Sequence, residues 1–166
     1  MKKFFIILAL IFSVNTHASN ITQLSAVAEK NVMMPQFALR DTLGNLHTNE
    51  TVKGKYVVVN YWATWCPPCL NEIPAFVEFY GKHQNEVEIF GMNYDHADKA
   101  AVDEFMGSFM VDYPIIMFDK ENGPQFGEFG EVVAMPTTYF YDPKGRLVDF
   151  RMGEIDESVL NTATNR

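Results

Sequence analysis

The stretch that most constrains the fold is a strongly apolar segment that runs directly into a pair of cysteines and then into an amphipathic pattern. Residues 56–61 are β-branched or aromatic except for Asn60, which is typical of a central strand buried on both faces. From Cys66 to about Lys82, apolar residues recur at intervals of three and four, which predicts a helix with a kink at Pro74. Ligand sites of α/β sheets usually lie where a strand ends and a helix begins, so Cys66 lies at a predicted site.

The rest of the chain alternates between strand and helix signals, which indicates a mixed α/β sheet. A hairpin is predicted where residues 37–40 and 47–48 flank a turn at Gly44. The further elements predicted, in chain order, are strand 87–92, helix 98–109, strand 114–118, a short helix or turn at 125–129, strands 137–141 and 147–150, and a helix near 155–163.

The N-terminus has the pattern of a secretory signal peptide. Lys2 and Lys3 precede the apolar stretch 4–14, and the small residues Thr16 and Ala18 predict cleavage after Ala18. Those eleven residues would span roughly 16 Å as a helix, about half of the hydrocarbon core of a bilayer. We therefore expect residues 1–18 to be a signal peptide; an uncleaved anchor is the alternative.

The remaining 148 residues, 19–166, have the length of one domain and carry 11 basic against 21 acidic side chains, a net charge of −10. No cluster of Lys and Arg interrupts this balance. Because binding to phosphates requires a basic surface, nucleic acid is excluded as a partner.

The chain has only two cysteines, Cys66 and Cys69. Covalent haem attachment would need His after the second cysteine, where Leu70 stands. A zinc site would need two more ligands, and the histidines show no paired ligand spacing. A purely structural bridge would close a four-residue loop, which contributes roughly 2 kcal/mol at best. Thiol–disulfide exchange explains the spacing best, and we predict no metal site.

The position of each cysteine predicts its role. Cys66 would face the positive end of the helix dipole, which lowers the pKa of its thiol and makes it the attacking group. Cys69, one turn further, would resolve the mixed disulfide. Pro67 and Pro68 lack the N–H groups that could stabilise a thiolate. The moderate pKa depression that results favours a reductant over a strong oxidant.

Three segments resemble the TlpA/ResA/CcmG group of exported thioredoxin-fold thiol–disulfide oxidoreductases: 60–74, which reads NYWATWCPPCLNEIP, 91–95, which reads GMNYD, and 135–138, which reads MPTT. The resemblance extends from about Met34 to Gly153. It implies a thioredoxin-like fold, in which helices flank a mixed central sheet. A β-hairpin would extend it at the N-terminus, and a helix–strand insertion would lie in the centre.

The resemblance also implies catalytic roles. Cys66 corresponds to the nucleophile and Cys69 to the resolving thiol. Glu72 matches an acidic residue that tunes the thiols and relays protons, although a solvated helix charge is an equal alternative. Thioredoxin itself has a buried Asp where this chain has Asn60, so proton handling would fall to Glu72 or to water.

Substrate contacts follow from the same resemblance. Pro136 would be cis, and the backbone of Met135 would pair with a substrate strand. Trp65 would pack beside the reactive sulfur, and Pro67 would border the same surface, whereas Trp62 is predicted to lie in the core.

We therefore predict an enzyme without a bound cofactor, an exported dithiol reductant of protein disulfides that works through a redox-active Cys66–Cys69 disulfide. The resemblance implies apocytochrome c as the specific substrate and a membrane thiol donor of the DsbD or CcdA type as the source of electrons. We expect a periplasmic monomer; a membrane-anchored form facing the periplasm is the alternative.

Other functions stay open. A disulfide oxidant or isomerase would use the same fold. A thiol peroxidase would need Thr where Ala63 stands. A binding module with an inert cysteine pair is the non-enzymatic alternative.

Overall fold

A computed structural model describes residues 32–95 and 98–166, so the predicted signal peptide lies outside the described residues. The described chain forms seven strands and four helices: β1 (Ala38–Arg40), β2 (Leu46–Thr48), β3 (Tyr56–Trp62), α1 (Pro67–His83), β4 (Val87–Asn93), α2 (Lys99–Ser108), β5 (Ile115–Met117), α3 (Gly123–Phe126), β6 (Thr137–Tyr141), β7 (Leu147–Met152) and α4 (Glu157–Thr164).

Five of the strands form one mixed sheet in the order β5-β4-β3-β6-β7. β3 pairs parallel with β4, and β4 pairs parallel with β5. β6 runs antiparallel to both β3 and β7. The apolar segment 56–62 is therefore the middle strand, and the predicted mixed α/β sheet is confirmed.

The central strand is buried on both faces because its side chains alternate between two apolar clusters. Val58 and Trp62 belong to the first cluster, whereas Val57, Val59 and Tyr61 belong to the second. The first cluster also includes residues of α1, α2 and α4 and both cysteines. The second includes residues of β1 and α3. The cysteine pair is thus set into the core on one face of the sheet.

A separate hairpin pairs β1 with β2, as predicted. Its turn is closed by Asp41, whose carboxylate accepts the N–H groups of Leu43 and Asn45 at 2.9 and 2.8 Å. Gly44 adopts φ 87° in this turn, which a residue without Cβ does at little cost.

The helix after the cysteines runs as one element through Pro74, and Cys66 is its N-cap. The helix–strand insertion predicted from the resemblance is formed by α2 and β5, and β5 lies at the edge of the sheet. Among residues 32–95 and 98–166, no helix is long and apolar enough to cross a membrane.

Two helix starts differ from the prediction. α4 begins at Glu157 rather than near residue 155, because the Asp156 side chain caps it by accepting the N–H of Val159 at 3.0 Å. α3 begins at Gly123, two residues before the predicted segment. There the Gly123 N–H donates to the Asp119 carbonyl at 2.8 Å, which turns the chain into the helix early.

Candidate active site

Cys66 and Cys69 form a disulfide at the N-terminus of α1, with their Cα atoms 5.3 Å apart. The Leu70 N–H donates to the Cys66 carbonyl at 3.2 Å, which closes the first helical turn. Pro67 and Pro68 occupy the first two helical positions, so two of the N–H groups that a helix normally presents at this end are missing. The N-terminus of α1 therefore stabilises a Cys66 thiolate less than a helix N-terminus with all of its N–H groups would.

The two cysteines differ in their access to solvent. Cys66 is 5% exposed, whereas Cys69 is fully buried. The residues beside Cys66 are open to solvent, since Trp65 is 66% exposed and Pro67 is also exposed. This geometry suits Cys66, which borders exposed residues, as the attacking thiol and the fully buried Cys69 as the resolving thiol.

The loop before β6 contains a cis peptide bond between Met135 and Pro136, as predicted. Met135 is half-buried and packs against the cluster that contains both cysteines. Together with Tyr94, residues 132–135 line a shallow cavity of about 160 Å³. The loop therefore offers an apolar surface close to the cysteine pair.

Glu72 lies one turn beyond Cys69 and is only 2% exposed. Asn60 Nδ2 donates to its Oε1 at 2.7 Å, and the backbone N–H of Ile155 donates to its Oε2 at 3.1 Å. Asn60 Nδ2 also donates to Thr138 Oγ1 at 3.0 Å. The carboxyl group is thus held between α1, β3 and the segment that precedes α4.

Burial raises the pKa of Glu72 to about 8, and the nearby Glu154 adds to this increase, while the hydrogen bonds from Asn60 and Ile155 oppose it. Glu72 can therefore bind and release a proton near neutral pH. A solvated helix charge, the alternative left open by the sequence, does not fit a buried carboxyl group.

Sequence reasoning missed how Asn60 takes part in the site. The sequence shows that this position lacks a carboxylate, but the structure places its amide against the Glu72 carboxyl group. The signal was present in part, because Asn60 falls in a strand that the apolar pattern predicts to be buried on both faces, whereas no local pattern separated Glu72 from a solvated helix charge. The Ile155 N–H has no such signal, since a backbone donor is the same at every position.

The two tryptophans differ as predicted. Trp62 is buried and stacks on Phe105 of α2, with ring centroids 6.0 Å apart. Trp65 is exposed beside Cys66, and its contact with the reactive sulfur stays a prediction. Within the described part of the chain, no group of three or more His, Cys, Asp or Glu residues is arranged to hold a metal ion.

Comparison with known proteins places this site in a family. The model of the AhpC/TSA family matches residues 12–150, and the chain belongs to this family. The thiol-disulfide oxidoreductase ResA of Bacillus subtilis is 33% identical over 132 residues, which cover 79% of this chain and 72% of ResA.

Solved structures agree on the fold. A thiol:disulfide interchange protein of the thioredoxin family from Chlorobium tepidum superposes with a TM-score of 0.72 at 23% identity, covering 82% of this chain and 95% of the other. StoA from Bacillus subtilis superposes with a TM-score of 0.67 at 23% identity, covering 81% of this chain and 98% of StoA. The thioredoxin-like fold implied by the resemblance is confirmed.

The chain is therefore a thiol–disulfide oxidoreductase of the ResA type, and its Cys66–Cys69 disulfide is the feature that carries this chemistry. The predicted class of enzyme and the predicted resemblance are both confirmed. The assignment of Cys66 as the attacking thiol and Cys69 as the resolving thiol stays a prediction, as do the individual roles of Glu72, Trp65, Pro67, Met135 and Pro136.

Proposed function

We propose that this protein is an exported dithiol reductant that breaks disulfides in protein substrates. The observation that carries the proposal is the first turn of α1, where proline occupies both positions between the cysteines. Because a strong oxidant depends on a stabilised thiolate in its reduced form, a helix end that lacks two N–H groups favours the reducing direction.

In the first step, the Cys66 thiolate attacks one sulfur of a substrate disulfide. A mixed disulfide forms between Cys66 and the substrate, and the other substrate sulfur leaves as a thiolate and takes up a proton. In the second step, Cys69 loses its proton and attacks the Cys66 sulfur. The Cys66–Cys69 disulfide forms, the second substrate thiol is released, and two electrons have passed to the substrate.

Glu72 is the proposed acceptor of the Cys69 proton. It follows Cys69 by three positions on α1, so the two side chains are neighbours on the helix surface. With a pKa of about 8, its carboxylate form can take a proton from a thiol and return it near neutral pH.

The surface around Cys66 is the proposed substrate site. An extended polypeptide segment would pair with the backbone of Met135 beside Pro136, and Trp65 and Pro67 would contact it from the opposite side. The apolar cavity of about 160 Å³ at residues 132–135 supports a substrate that places an apolar side chain near its cysteine. The cysteine pair of apocytochrome c is the proposed specific substrate.

Export gives the reductant a further requirement. A dithiol that works in an oxidising compartment is consumed by each turnover, so an electron donor must regenerate it. We propose that residues 1–18 direct the chain to the periplasm, as a cleaved signal peptide or as a membrane anchor. A membrane thiol protein of the DsbD or CcdA type would then supply the electrons.

The reduction potential tests the direction of exchange. Equilibration of the purified domain with defined glutathione mixtures should give a value near the −270 mV or so of thioredoxin. A value near the −120 mV or so of DsbA would contradict the reductant role and favour the oxidant.

Trapping identifies the substrate. The Cys69→Ala variant cannot complete the second step, so it should accumulate mixed disulfides with exported proteins through Cys66. The double variant Cys66→Ala/Cys69→Ala is the matched control and should trap none. Equal yields from both variants would indicate that the pair is inert and support the binding-module alternative.

A further inference from the structure

The turn that presents Cys66 is held by a carboxylate from another element. Residues 63–66 form a tight turn in which the Cys66 N–H donates to the Ala63 carbonyl at 3.1 Å. The Thr64 N–H at the first inner position of this turn donates to Asp95 Oδ2 at 2.9 Å. Asp95 lies 31 residues further along the chain and is only 3% exposed.

Asp95 is itself fixed by the end of β4. Asn93 Nδ2 donates to Asp95 Oδ2 at 3.0 Å, and the Asp95 N–H donates to Asn93 Oδ1 at 3.1 Å. The Tyr94 N–H donates to the Trp62 carbonyl at 2.9 Å. These bonds join the ends of β3 and β4, so the carboxylate has a defined position beneath the turn.

The charge of Asp95 has no direct counterion in the part of the chain that the structure describes. Both groups that donate to its carboxylate, the Thr64 N–H and the Asn93 amide, are neutral. Its Oδ1 is buried and accepts no hydrogen bond from the described residues. Lys99 lines the same cavity of about 490 Å³ but pairs with Asp103. A second anion close to this carboxylate is therefore disfavoured.

We propose that Asp95 is a positioning residue for thiol exchange: it fixes the turn that presents Cys66 and, as a neighbouring anion, opposes formation of the Cys66 thiolate. Glu72, one helical turn beyond Cys69, is a second buried carboxyl group near the pair, and Glu154 acts on it electrostatically. Since loss of the Cys66 proton creates a negative charge, Asp95 raises the free energy of the reduced, deprotonated protein. The dithiol then gives up its two electrons more readily. This inference rests on the proposed reductant function for its physiological meaning only.

Two substitutions separate the effect of the hydrogen bond between Thr64 and Asp95 from the effect of the Asp95 charge. Asp95→Asn keeps an acceptor oxygen for the Thr64 N–H and removes the charge. Asp95→Ala removes both. Asp98→Asn is the matched control. Asp98 lies three positions after Asp95 and caps α2 by accepting the Ala101 N–H at 2.8 Å, and among the described residues it accepts no hydrogen bond from the turn.

The thiolate absorbance of the reduced protein should show that Asp95→Asn lowers the pKa of the Cys66 thiol by about 0.5. Measured above that pKa, the equilibrium with glutathione should shift about threefold toward the dithiol form of the protein. Asp95→Ala should show the same shifts and also slow the first exchange step relative to Asp95→Asn, because the turn is released. Asp98→Asn should match the unaltered protein in both measurements.

The inference is overturned if Asp95→Asn matches Asp98→Asn in pKa and equilibrium, or if it raises the pKa of Cys66. Should Asp95→Ala fail to fold, Asp95→Asn alone decides. The reduction potential of the unaltered protein tests the proposed reductant function. The differences between variants in the pKa of Cys66 and in the glutathione equilibrium test the role of Asp95. Either proposal can therefore fail without the other.

Discussion

Glu72 shows how the surroundings of one side chain can change its chemistry. An exposed carboxyl group would be ionised throughout the neutral range, but burial raises the pKa of Glu72 to about 8. Donors from β3 and from the segment before α4 fix both of its oxygens. A proton-exchanging group is thereby held one helical turn from Cys69.

Replacement of Glu72 by Gln tests this role. The rate at which Cys69 resolves a preformed mixed disulfide should fall roughly tenfold or more, because the group that accepts the proton is gone. The transition near pH 8 in the profile of that rate should also disappear. Rapid-mixing kinetics between pH 5 and 10 measure both effects.

Glu78→Gln is the control for this experiment. Glu78 lies on the same helix but is exposed and pairs with Lys82 at 2.8 Å, so its replacement should leave the profile unchanged. An unchanged profile in Glu72→Gln would remove Glu72 from the mechanism and leave water as the proton acceptor.

At the scale of elements, the insertion formed by α2 and β5 is joined to the active-site strand by aromatic packing. Phe105 of α2 stacks on Trp62, the last residue of β3, with an interplanar angle of 22°. The chain then reaches Cys66 within four residues. Packing of α2 should therefore support the start of the active-site loop.

Phe105→Ala should reduce the free energy of unfolding by about 1–3 kcal/mol. The loss stays below the 3–5 kcal/mol or so of a fully buried aromatic residue because Phe105 is only partly buried. Urea unfolding followed by circular dichroism measures it. Glu104→Ala, at an exposed position of the same helix, should change the free energy by no more than about 0.5 kcal/mol. Equal losses in both variants would refute the packing role.

The elements themselves were predictable where their signals are local. Periodicity located α1, and an apolar run without alternation located β3 as a central strand, because burial imposes both patterns directly on the sequence. The starts of α3 and α4 were not predicted. They depend on hydrogen bonds at Asp119 and Asp156 that compete with the apolar pattern.

At the scale of the whole molecule, one buried carboxyl group should make stability depend on pH. Glu72 titrates near 4.5 in the unfolded chain and about 8 in the folded protein. Between these values the folded state keeps a proton that the unfolded state has released, so the free energy of unfolding falls as pH rises. The expected loss is on the order of a few kcal/mol.

Two other carboxyl groups make the free energy of unfolding depend on pH in the acid range. Asp41 and Asp142 have lowered pKa values, because their hydrogen bonds to His47 and Arg146 outweigh burial, which acts in the opposite direction. Their stabilisation is present above the unfolded pKa and is lost as pH falls, so maximum stability is expected on the acid side of neutrality. Urea unfolding of the oxidised protein at pH 5, 6.5 and 8 measures the trend. The pH dependence should flatten in Glu72→Gln, and the same slope in both proteins would refute its origin in Glu72.

The sequence by itself determined the class of enzyme, the cysteine pair, the strand and helix that flank it, and the loop at Met135 and Pro136. Spacing and periodicity within short stretches of chain encode the cysteine pair and its flanking elements, whereas the loop followed from the resemblance of segment 135–138 to a known family. Only the tertiary structure decided that Glu72 is buried and that its pKa is raised to about 8, since its donor at Ile155 lies 83 residues away. It also decided that Asp95 meets the turn before Cys66. The protonation of a carboxyl group depends on burial and on distant partners, and no local pattern specifies either of them.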